Sequence, residues 1–276
     1  MQTTEPTIRR GGAELIPYVR ELWNLLFDHH VETGAAGLAV IPRDQSWPLR
    51  EAHYAALIAA QPRASIWLAS HGDDTLGYAL SFVCDFEGQS AVALETLSVD
   101  PATRGMGVGS LLMDAVDREA AAEDIQVGIV DVMAGNPRAR ALYLRRRYSA
   151  YSETWMRSEP TAAVDRRSDN EQLPRLVASA EALGLQLEIS SGPDDTWVSA
   201  DAIVDLSITD DSLARETLGA SNDPRREQLD RMLADLSGAG FWTIRFALPT
   251  EPAAAWLRAQ LQERGFRIST ERLVRR

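Results

Sequence analysis

The sequence contains no lysine, and all 28 of its basic residues are arginine. A Walker-type phosphate loop ends in Gly-Lys-Ser or Gly-Lys-Thr, so this absence excludes one. Cys84 is the only cysteine, which excludes a disulfide within the chain and predicts a small buried apolar residue. No run of about 18 apolar residues occurs, so we predict no membrane-spanning helix. Because the first residues also lack an apolar segment, we expect no signal peptide and a cytoplasmic location.

Acidic residues outnumber basic ones by 40 to 28, which gives a formal net charge of −12. An acidic surface disfavours nucleic acid and anionic membranes, so we predict that the chain binds neither. The same charge favours a cationic acceptor such as an amine, although solubility accounts for most of it. The length of 276 residues is comfortable for two domains.

The segment from Leu94 to Leu112 organises the chain. It begins with a short apolar run to Val99 that is typical of a strand, and Pro101 ends that run. A glycine-rich turn follows, and Ser110–Ala122 has the apolar spacing of an amphipathic helix. A strand, a glycine loop and a helix start place several backbone N–H groups at the positive end of a helix dipole. Such groups hold a phosphate without a charged side chain.

The spacing of the glycines distinguishes between known phosphate loops. Gly105, Gly107 and Gly109 give G-x-G-x-G, so the dinucleotide fingerprint G-x-G-x-x-G is absent. Arg104 with Gly107 and Gly109 instead gives R-x-x-G-x-G. This resembles the acetyl-CoA pyrophosphate loop of the GCN5-related N-acetyltransferases (GNAT). A plain tight turn also needs glycine, so the loop alone does not decide the family.

A second motif follows the next predicted strand. The GNAT pattern there is N-x-x-A-x-x-L-Y-x-x-x-G-F, and Asn136, Ala139, Leu142 and Tyr143 match it position by position. Arg147 stands where the pattern has its glycine, which puts the turn after this helix in question, but not the cofactor site. Because both motifs occur in the right order and spacing, residues from about 5 to 157 resemble a GNAT domain.

The resemblance implies an α/β fold with a mixed sheet and acetyl-CoA as co-substrate. It implies direct acetyl transfer with Glu95 as general base and Tyr143 as general acid toward the CoA sulfur. Asp131 is the rival base, which we rank second. A backbone N–H near Ser98 would polarise the thioester carbonyl, and Asn136 would hydrogen-bond the cofactor arm. The predicted cofactor-binding residues are Leu97, Ser98, Val99, Arg104, Gly105, Met106, Gly107, Val108, Gly109, Ser110 and Asn136.

Two predicted helices, Ala13–Val31 and Pro48–Ala60, are joined by a loop. In the resembled family this region forms the acceptor side of the cleft. Adjacent residues on a helix point in different directions, so His29 and His30 do not form a shared metal site, and we predict no metal. The side chains that are candidates for the acceptor pocket, against ordinary packing, are Trp23, Phe27, His29, His30, Trp47 and Tyr54.

The second half repeats the first in element order. After the polar stretch 159–170, the order helix, strand, strand, helix, strand, helix, strand matches the first half without its opening strand and helix. Arg225 and Glu227 stand where Gly107 and Gly109 lie in the first half, so this half is not expected to bind CoA. We predict a catalytic GNAT domain at 1–158, a linker at 159–170 and a truncated, degenerate, non-catalytic GNAT-like domain at 171–276. The alternative for the last segment is an unrelated α+β domain.

Two functions fit these features. The first is an acetyl-CoA-dependent N-acetyltransferase that acts on a primary amine of a small, cationic molecule. It is favoured because both Glu95 and Tyr143 are present. The alternative is an acyl-CoA-binding sensor or regulatory module without turnover, and acetylation of protein substrates ranks below both. The predicted partners are the amine acceptor and a second copy of the chain in a homodimer.

Overall fold

The computed structural model describes residues 6–34, 41–158, 185–191, 198–204, 224–238, 243–250 and 254–276, together with Ala178 and Leu183. These residues form two compact units. The first comprises the described residues up to Ser149 and the last four residues, Leu273–Arg276. The second comprises the described residues from Ala150 to Arg272. In the described part of the chain, no helix combines the length and the apolar character needed to cross a bilayer.

The first unit is a mixed sheet with helices on both faces. Its strands lie in the order β1-β2-β3-β4-β5, and all neighbours are antiparallel except the parallel pair β4 and β5. The elements are β1 (Thr7–Gly11), α1 (Ile16–Thr33), α2 (Arg43–Ala60), β2 (Ser65–His71), β3 (Asp74–Phe86), β4 (Gln89–Val99), α3 (Val108–Ala122), β5 (Val127–Met133) and α4 (Pro137–Arg145).

Apolar side chains at helical spacing place each helix on the sheet. On one face, Leu112, Met113 and Val116 of α3 are buried in one cluster with side chains of the strands. On the other face, Val19 of α1 and Tyr54 of α2 are fully buried in a second cluster. The predicted amphipathic helix over Ser110–Ala122 and the mixed α/β fold are therefore confirmed.

The second helix starts earlier than predicted. The sequence predicts a loop up to Pro48, whereas α2 begins at Arg43 and carries Pro48 inside it. A proline inside a helix removes one backbone hydrogen bond, and here buried neighbours hold the same turn. The Trp23 indole N–H donates to Oγ of the buried Ser46 at 2.9 Å, and Trp47 packs in the core.

The predicted burial of Cys84 is also corrected. The side chain is half-buried in β3. The strand continues to Phe86, so Cys84 lies near the end of a long hairpin rather than under the core.

The last four residues of the chain belong to the first unit. Leu273 is fully buried in the cluster under α3. The Arg275 guanidinium donates to Asp117 of α3 at 2.9 Å and lies over the ring of Tyr148 at 5.1 Å. The first unit is therefore built from the beginning and the very end of the chain.

The second unit repeats the strand and helix arrangement of the first. Within it β7 and β8 are antiparallel, β8 and β9 are parallel, and β6 pairs antiparallel with β9. A parallel pair with a helix between its strands is also how β4 and β5 are connected. Its elements are β6 (Ser149–Ser158), β7 (Leu185–Ser191), β8 (Val198–Val204), α5 (Pro224–Gly238), β9 (Thr243–Pro249), α6 (Ala255–Glu263) and β10 (Arg267–Arg275).

A separate apolar core holds this unit together. Leu229 and Met232 of α5, Phe246 of β9 and Phe266 before β10 are buried in one cluster. The rings of Phe246 and Phe266 meet edge to face with centroids 5.3 Å apart. The predicted element order is present from its first strand on. The first helix of that order falls almost entirely outside the described residues.

The compact units divide the chain at other points than the predicted domains 1–158, 159–170 and 171–276. Most of β6 belongs to the second unit, because Ser152–Ser158 pair with Thr243–Pro249 of β9. The chain end returns to the first unit as described above. The predicted linker at 159–170 lies outside the described residues.

Arg147 replaces the motif glycine without changing the turn. Its φ of 64° lies in the left-handed region, and the Arg147 and Tyr148 amides close the end of α4 by donating to Leu144 and Tyr143 carbonyls. The second unit keeps a glycine at the equivalent turn, Gly265, with a φ of 80°. The chain therefore tolerates a strained arginine in the first unit.

This strain gives a stability prediction. Arg147→Gly should raise the free energy of unfolding by about 0.5–1 kcal/mol, because glycine adopts a positive φ without the steric cost that other residues have. The measurement is urea denaturation followed by circular dichroism. Arg147→Ala is the matched control, because it removes the same side chain but keeps the strain. An equal gain from both variants would show that the side chain, not the backbone, is the cause.

Candidate active site

A cleft of about 670 Å³ opens in the first unit at the ends of β4 and α4. Its walls come from β4, the glycine loop, the start of α3, one face of α4 and the middle of α1. The residues that line it are Leu25, Leu26, His29, Leu97, Ser98, Val99, Thr103, Arg104, Gly105, Gly107, Val108, Gly109, Ser110, Asn136, Arg138, Ala139, Ala141, Leu142, Tyr143 and Arg145.

The cleft brings together most of the predicted cofactor-binding residues. Met106 is the exception, because its side chain is 69% exposed and does not line the cleft. Its amide donates to the Thr103 carbonyl at 3.2 Å and thereby closes the loop itself. Glu95, the predicted base, is also absent from the lining.

The glycine loop presents backbone N–H groups at the start of α3. Gly107 has a φ of 83° and directly precedes the helix, which begins at Val108. The Leu111 amide makes the first helical bond, to the Gly107 carbonyl at 2.9 Å. The amides of Val108, Gly109 and Ser110 therefore have no helical carbonyl to donate to, and they lie at the positive end of the helix dipole. Gly107, Val108, Gly109 and Ser110 all line the cleft, and a Cβ at Gly107 would meet nothing within 4 Å, so this helix start borders open space.

Close packing positions this helix start against the sheet. A Cβ on Gly77 of β3 would lie 2.9 Å from the Ser98 carbonyl oxygen and 3.1 Å from Val108 Cγ1. Only glycine permits that approach. The first turn of α3 therefore sits directly beside the end of β4.

The strands β4 and β5 separate halfway along their length. Their parallel pairing covers only Ala91–Leu94 with Val127–Val130. Beyond Leu94, β4 continues to pair with β3 as far as Val99. Its other edge is therefore unpaired with β5 over the last five residues, Glu95–Val99. An unpaired strand edge accepts an extended ligand that carries amide groups.

A β-bulge occurs where the strands separate. Leu80 of β3 pairs with Thr96, and the next residue, Ser81, pairs with Leu94, so Glu95 is the extra residue. Bulges re-aim side chains, and both Glu95 and Thr96 contact α2. The Thr96 hydroxyl bonds the Tyr54 hydroxyl at 2.7 Å.

Two side chains of α2 hold the Glu95 carboxylate. Arg50 Nη1 donates to Glu95 Oε1 at 3.0 Å, and His53 Nε2 lies 2.9 Å from the same oxygen. Neither contact involves Oε2. The carboxylate therefore has one anchored oxygen and one that is left for another partner.

The rival base lies on the neighbouring strand. Asp131 is exposed, whereas Val130 and Val132 on either side of it are buried in the cluster under α3. Side chains alternate along a strand, so Asp131 faces the side of the sheet that carries α1 and α2. Glu95 faces the same side, so both carboxylates are on the acceptor side.

Asn136 and Tyr143 occupy opposite ends of α4. Asn136 is the N-cap, and its Oδ1 accepts the Ala139 amide at 3.1 Å, which leaves its NH₂ group for a ligand. Tyr143 is 5% exposed, and burial raises the pKa of its hydroxyl well above the usual range, with Tyr148 adding to the shift. A tyrosine is already protonated at neutral pH, and the raised pKa keeps the Tyr143 hydroxyl in that form.

Cationic side chains lie along the cleft. Arg104, Arg138 and Arg145 line it. Burial lowers the pKa of His29, and the nearby Arg104 and Arg138 lower it further, whereas Glu32 opposes them. The field in the cleft thus favours anions and keeps His29 uncharged near neutral pH.

Most of the proposed acceptor-pocket aromatics are core residues. Trp23, Trp47 and Tyr54 are buried in the cluster between α1, α2 and the sheet, and partly buried Phe27 packs against it. The Tyr54 hydroxyl is fully enclosed, 3.0 Å from the Tyr78 hydroxyl. These side chains support the pocket and do not form its surface.

Sequence reasoning missed Arg50 and His53, the two side chains that touch Glu95. The available signal was their spacing with Trp47 and Tyr54, which puts all four on one face of α2. Polar residues at those positions of an otherwise buried face indicate a paired or functional cluster. Their partner on β4 is 45 residues from Arg50 and 42 residues from His53 in sequence, and no local pattern identifies it.

Comparisons with known proteins agree with this geometry. The model of the acetyltransferase (GNAT) family matches residues 20–148. No curated protein matches the chain. A solved tandem GNAT protein from the clavulanic acid biosynthesis pathway is similar over 98% of this chain and 97% of its own, with 13% identity and a TM-score of 0.54. This likeness shows a tandem fold over both halves.

Two shorter solved structures match about half of the chain or slightly more. A mutant protein from Bacillus halodurans has 18% identity and a TM-score of 0.44, and the match covers 51% of this chain and 92% of that one. The protein yncA of Salmonella typhimurium, solved with its cofactor acetyl-CoA, has 19% identity and a TM-score of 0.39 over 58% of this chain and 85% of its own.

The histidine next to the cleft gives a pH prediction. Burial lowers the pKa of His30 to about 4, and the charges of His29 and Arg50 add to the shift. Between about pH 6.5 and 4 the unfolded chain binds a proton here and the native chain does not, so this group makes stability fall as the pH drops through that window.

We therefore expect the urea midpoint of the wild type to fall more steeply from about pH 7 to about pH 5 than that of His30→Gln. His71→Gln, at the exposed end of β2, is the control and should keep the wild-type slope. Equal slopes for the wild type and His30→Gln would contradict the assignment.

Proposed function

Residues 20–148 form a domain of the acetyltransferase (GNAT) family, which uses acetyl-CoA, and on this premise we propose a specific reaction. The chain transfers the acetyl group of acetyl-CoA directly to the primary amine of a small molecule, a group that is protonated and therefore cationic at neutral pH before it reacts. The observation that supports this is the cleft itself. It joins the glycine loop, the open edge of β4 and Tyr143 in one space.

Backbone groups hold the cofactor in this proposal. The amides of Val108, Gly109 and Ser110 bind the pyrophosphate, because they are unused at a helix start and border the cleft. The edge of β4 over Leu97–Val99 pairs with the amides of the pantetheine arm. The Asn136 NH₂ group adds a further hydrogen-bond donor. Arg138 and Arg145 line the cleft and attract the negative charge of the cofactor's remaining phosphate.

The chemistry needs a base for the amine and an acid for the sulfur. A new N–C bond forms as the C–S bond breaks. A backbone N–H near Ser98 or Val99 polarises the carbonyl oxygen. Glu95 takes the amine proton on Oε2, the oxygen that neither Arg50 nor His53 contacts, directly or through a water.

Tyr143 returns a proton to the leaving sulfur. It lines the cleft and carries its proton at neutral pH, as an unshifted tyrosine also would. Asp131 stays the rival base, because it lies on the same side of the sheet as Glu95. A cytoplasmic location and a homodimer also stay predictions.

The alternative function is an acyl-CoA sensor without turnover. The anchored carboxylate at the separated strands favours the enzyme, because cofactor binding alone does not require it. The test is release of free thiol from acetyl-CoA over a panel of amines. Amine-dependent release with an acetylated product detected by mass supports the enzyme. Tight acetyl-CoA binding without release by any amine supports the sensor.

The cofactor site gives a binding prediction. Acetyl-CoA should bind with a stoichiometry of one per chain by calorimetry, and Gly107→Glu should abolish binding. The new carboxylate would fill the open space in front of the helix amides and repel the pyrophosphate. Gly72→Glu is the matched control, since Gly72 also has a positive φ and open surroundings but lies in the β2–β3 turn. Loss of binding in both variants, or two equivalents bound, would contradict the proposal.

The base gives a kinetic prediction. Glu95→Gln should lower kcat by about 10²–10⁴-fold near neutral pH with acetyl-CoA binding little changed. Asp131→Asn is the comparison, because it removes the charge of the rival carboxylate on the adjacent strand. A large loss in Asp131→Asn and a small one in Glu95→Gln would identify Asp131 as the base.

A further inference from the structure

Arg50 is a cation held in a fixed place on the acceptor side. Its guanidinium carbon lies 3.9 Å from the centre of the Trp23 ring and 5.4 Å from that of Tyr54. Nη1 donates to Glu95 at 3.0 Å. Stacking on one side and an ion pair at one end restrict a side chain that is otherwise flexible. The Arg50 guanidinium is thus ordered before any ligand arrives.

Most hydrogen-bond donors of Arg50 are unused within the described part of the chain. A guanidinium has about five N–H donors, and the bond to Glu95 is the one that Arg50 makes there. In the same part of the chain, every fully buried side-chain N or O atom has a partner. The remaining donors of Arg50 therefore reach solvent, which agrees with a side-chain exposure of 26%.

Arg146, another partly buried arginine of the first unit, differs from Arg50 in this respect. Arg146, with a side-chain exposure of 16%, donates to Asp117, Asp114 and the Ser110 carbonyl. These hydrogen bonds join the end of α4 to α3. Arg146 is thus satisfied by several protein acceptors, whereas Arg50 is fixed but mostly unsatisfied.

We infer that Arg50 binds an anionic group of the acceptor, a carboxylate or a phosphate, close to the amine that is acetylated. This inference rests on the proposed function, in which Glu95 Oε2 receives the amine. The free donors of Arg50 lie next to that oxygen, because Nη1 already touches Oε1 of the same carboxylate. An acceptor with an ammonium and an oxyanion a few bonds apart matches this pair of charges, and planar guanidinium groups suit oxyanions.

The competing role for Arg50 is to orient Glu95 only. In that case its removal would slow all acceptors to the same extent. In the proposed role, removal affects acceptors with an oxyanion and spares those without one. The ratio between the two kinds of acceptor therefore separates the roles.

The test uses the full chain, acetyl-CoA and matched amine pairs. The pairs are leucine with 3-methylbutylamine, phenylalanine with phenethylamine, and O-phosphoethanolamine with ethanolamine. Free-thiol release gives kcat/KM for each. We expect the anionic member of at least one pair to exceed its partner by about 10–10³-fold. The amino acid pairs and the phosphate pair tell which oxyanion is recognised.

Variants then assign the preference to Arg50. Arg50→Gln should reduce the ratio within the preferred pair to near one, mainly by raising KM for the anionic member. His53→Gln is the control, because His53 contacts the same Glu95 oxygen and the change leaves Arg50 in place. It should lower both members alike and keep the ratio.

Each other outcome counts against the inference in its own way. Equal or better turnover of the amines without an oxyanion by the wild type overturns it and leaves the proposed function standing. This result does not depend on the folding of any variant. An unchanged ratio in a folded Arg50→Gln protein also overturns it. Absence of thiol release with every amine, despite acetyl-CoA binding, overturns the proposed function and this inference with it.

Discussion

The separation of β4 from β5 is the constraint on which the rest of the site depends. Parallel pairing stops at Leu94 and Val130, and the extra residue at Glu95 makes the change in direction possible. A fully paired β4 would offer neither a free edge to the pantetheine arm nor space for a thioester. The same bulge turns Glu95 toward α2, where Arg50 and His53 fix one of its oxygens. The bulge at Glu95 thus accompanies the open edge of β4 that is proposed to bind the cofactor, and it also orients the proposed base.

The charges of the first unit are distributed to suit an anionic cofactor on an acidic protein. The net charge is −12, yet the cleft is lined by Arg104, Arg138 and Arg145. In the proposed function, backbone amides bind the pyrophosphate. This binding needs neither a flexible side chain nor a counter-ion. This division explains how a chain without lysine can still hold a phosphorylated ligand. In the proposed binding mode the arginines attract the cofactor, and the start of α3 fixes it.

Local sequence predicted the parts of the site that are built locally. The glycine loop, the N-cap Asn136 and Tyr143 each follow from a few neighbouring residues, because a helix start and a helix face are short-range structures. Arg50 was missed because its partner comes from a distant strand, and the early start of α2 depends on burial of Ser46 and Trp47. The conformation of the turn at Arg147 could not be predicted from the sequence either. The capping hydrogen bonds at the end of α4 impose a positive φ on arginine, a residue that rarely adopts one.

The place of the last four residues in the first unit could not be predicted from the order of the elements in the sequence. Leu273 and Arg275 follow the whole second unit in sequence, yet Leu273 is buried beneath α3 and Arg275 bonds Asp117. Full burial of one leucine contributes about 1.5–3 kcal/mol, and the Arg275 guanidinium also covers the ring of Tyr148. That ring lies 5.9 Å from the ring of Tyr143, so the chain end supports the neighbour of the proposed proton donor. A fragment that stops at Ser158 would lack this support. The second unit therefore cannot be regarded as a removable appendage, because the residues that follow it complete the first unit.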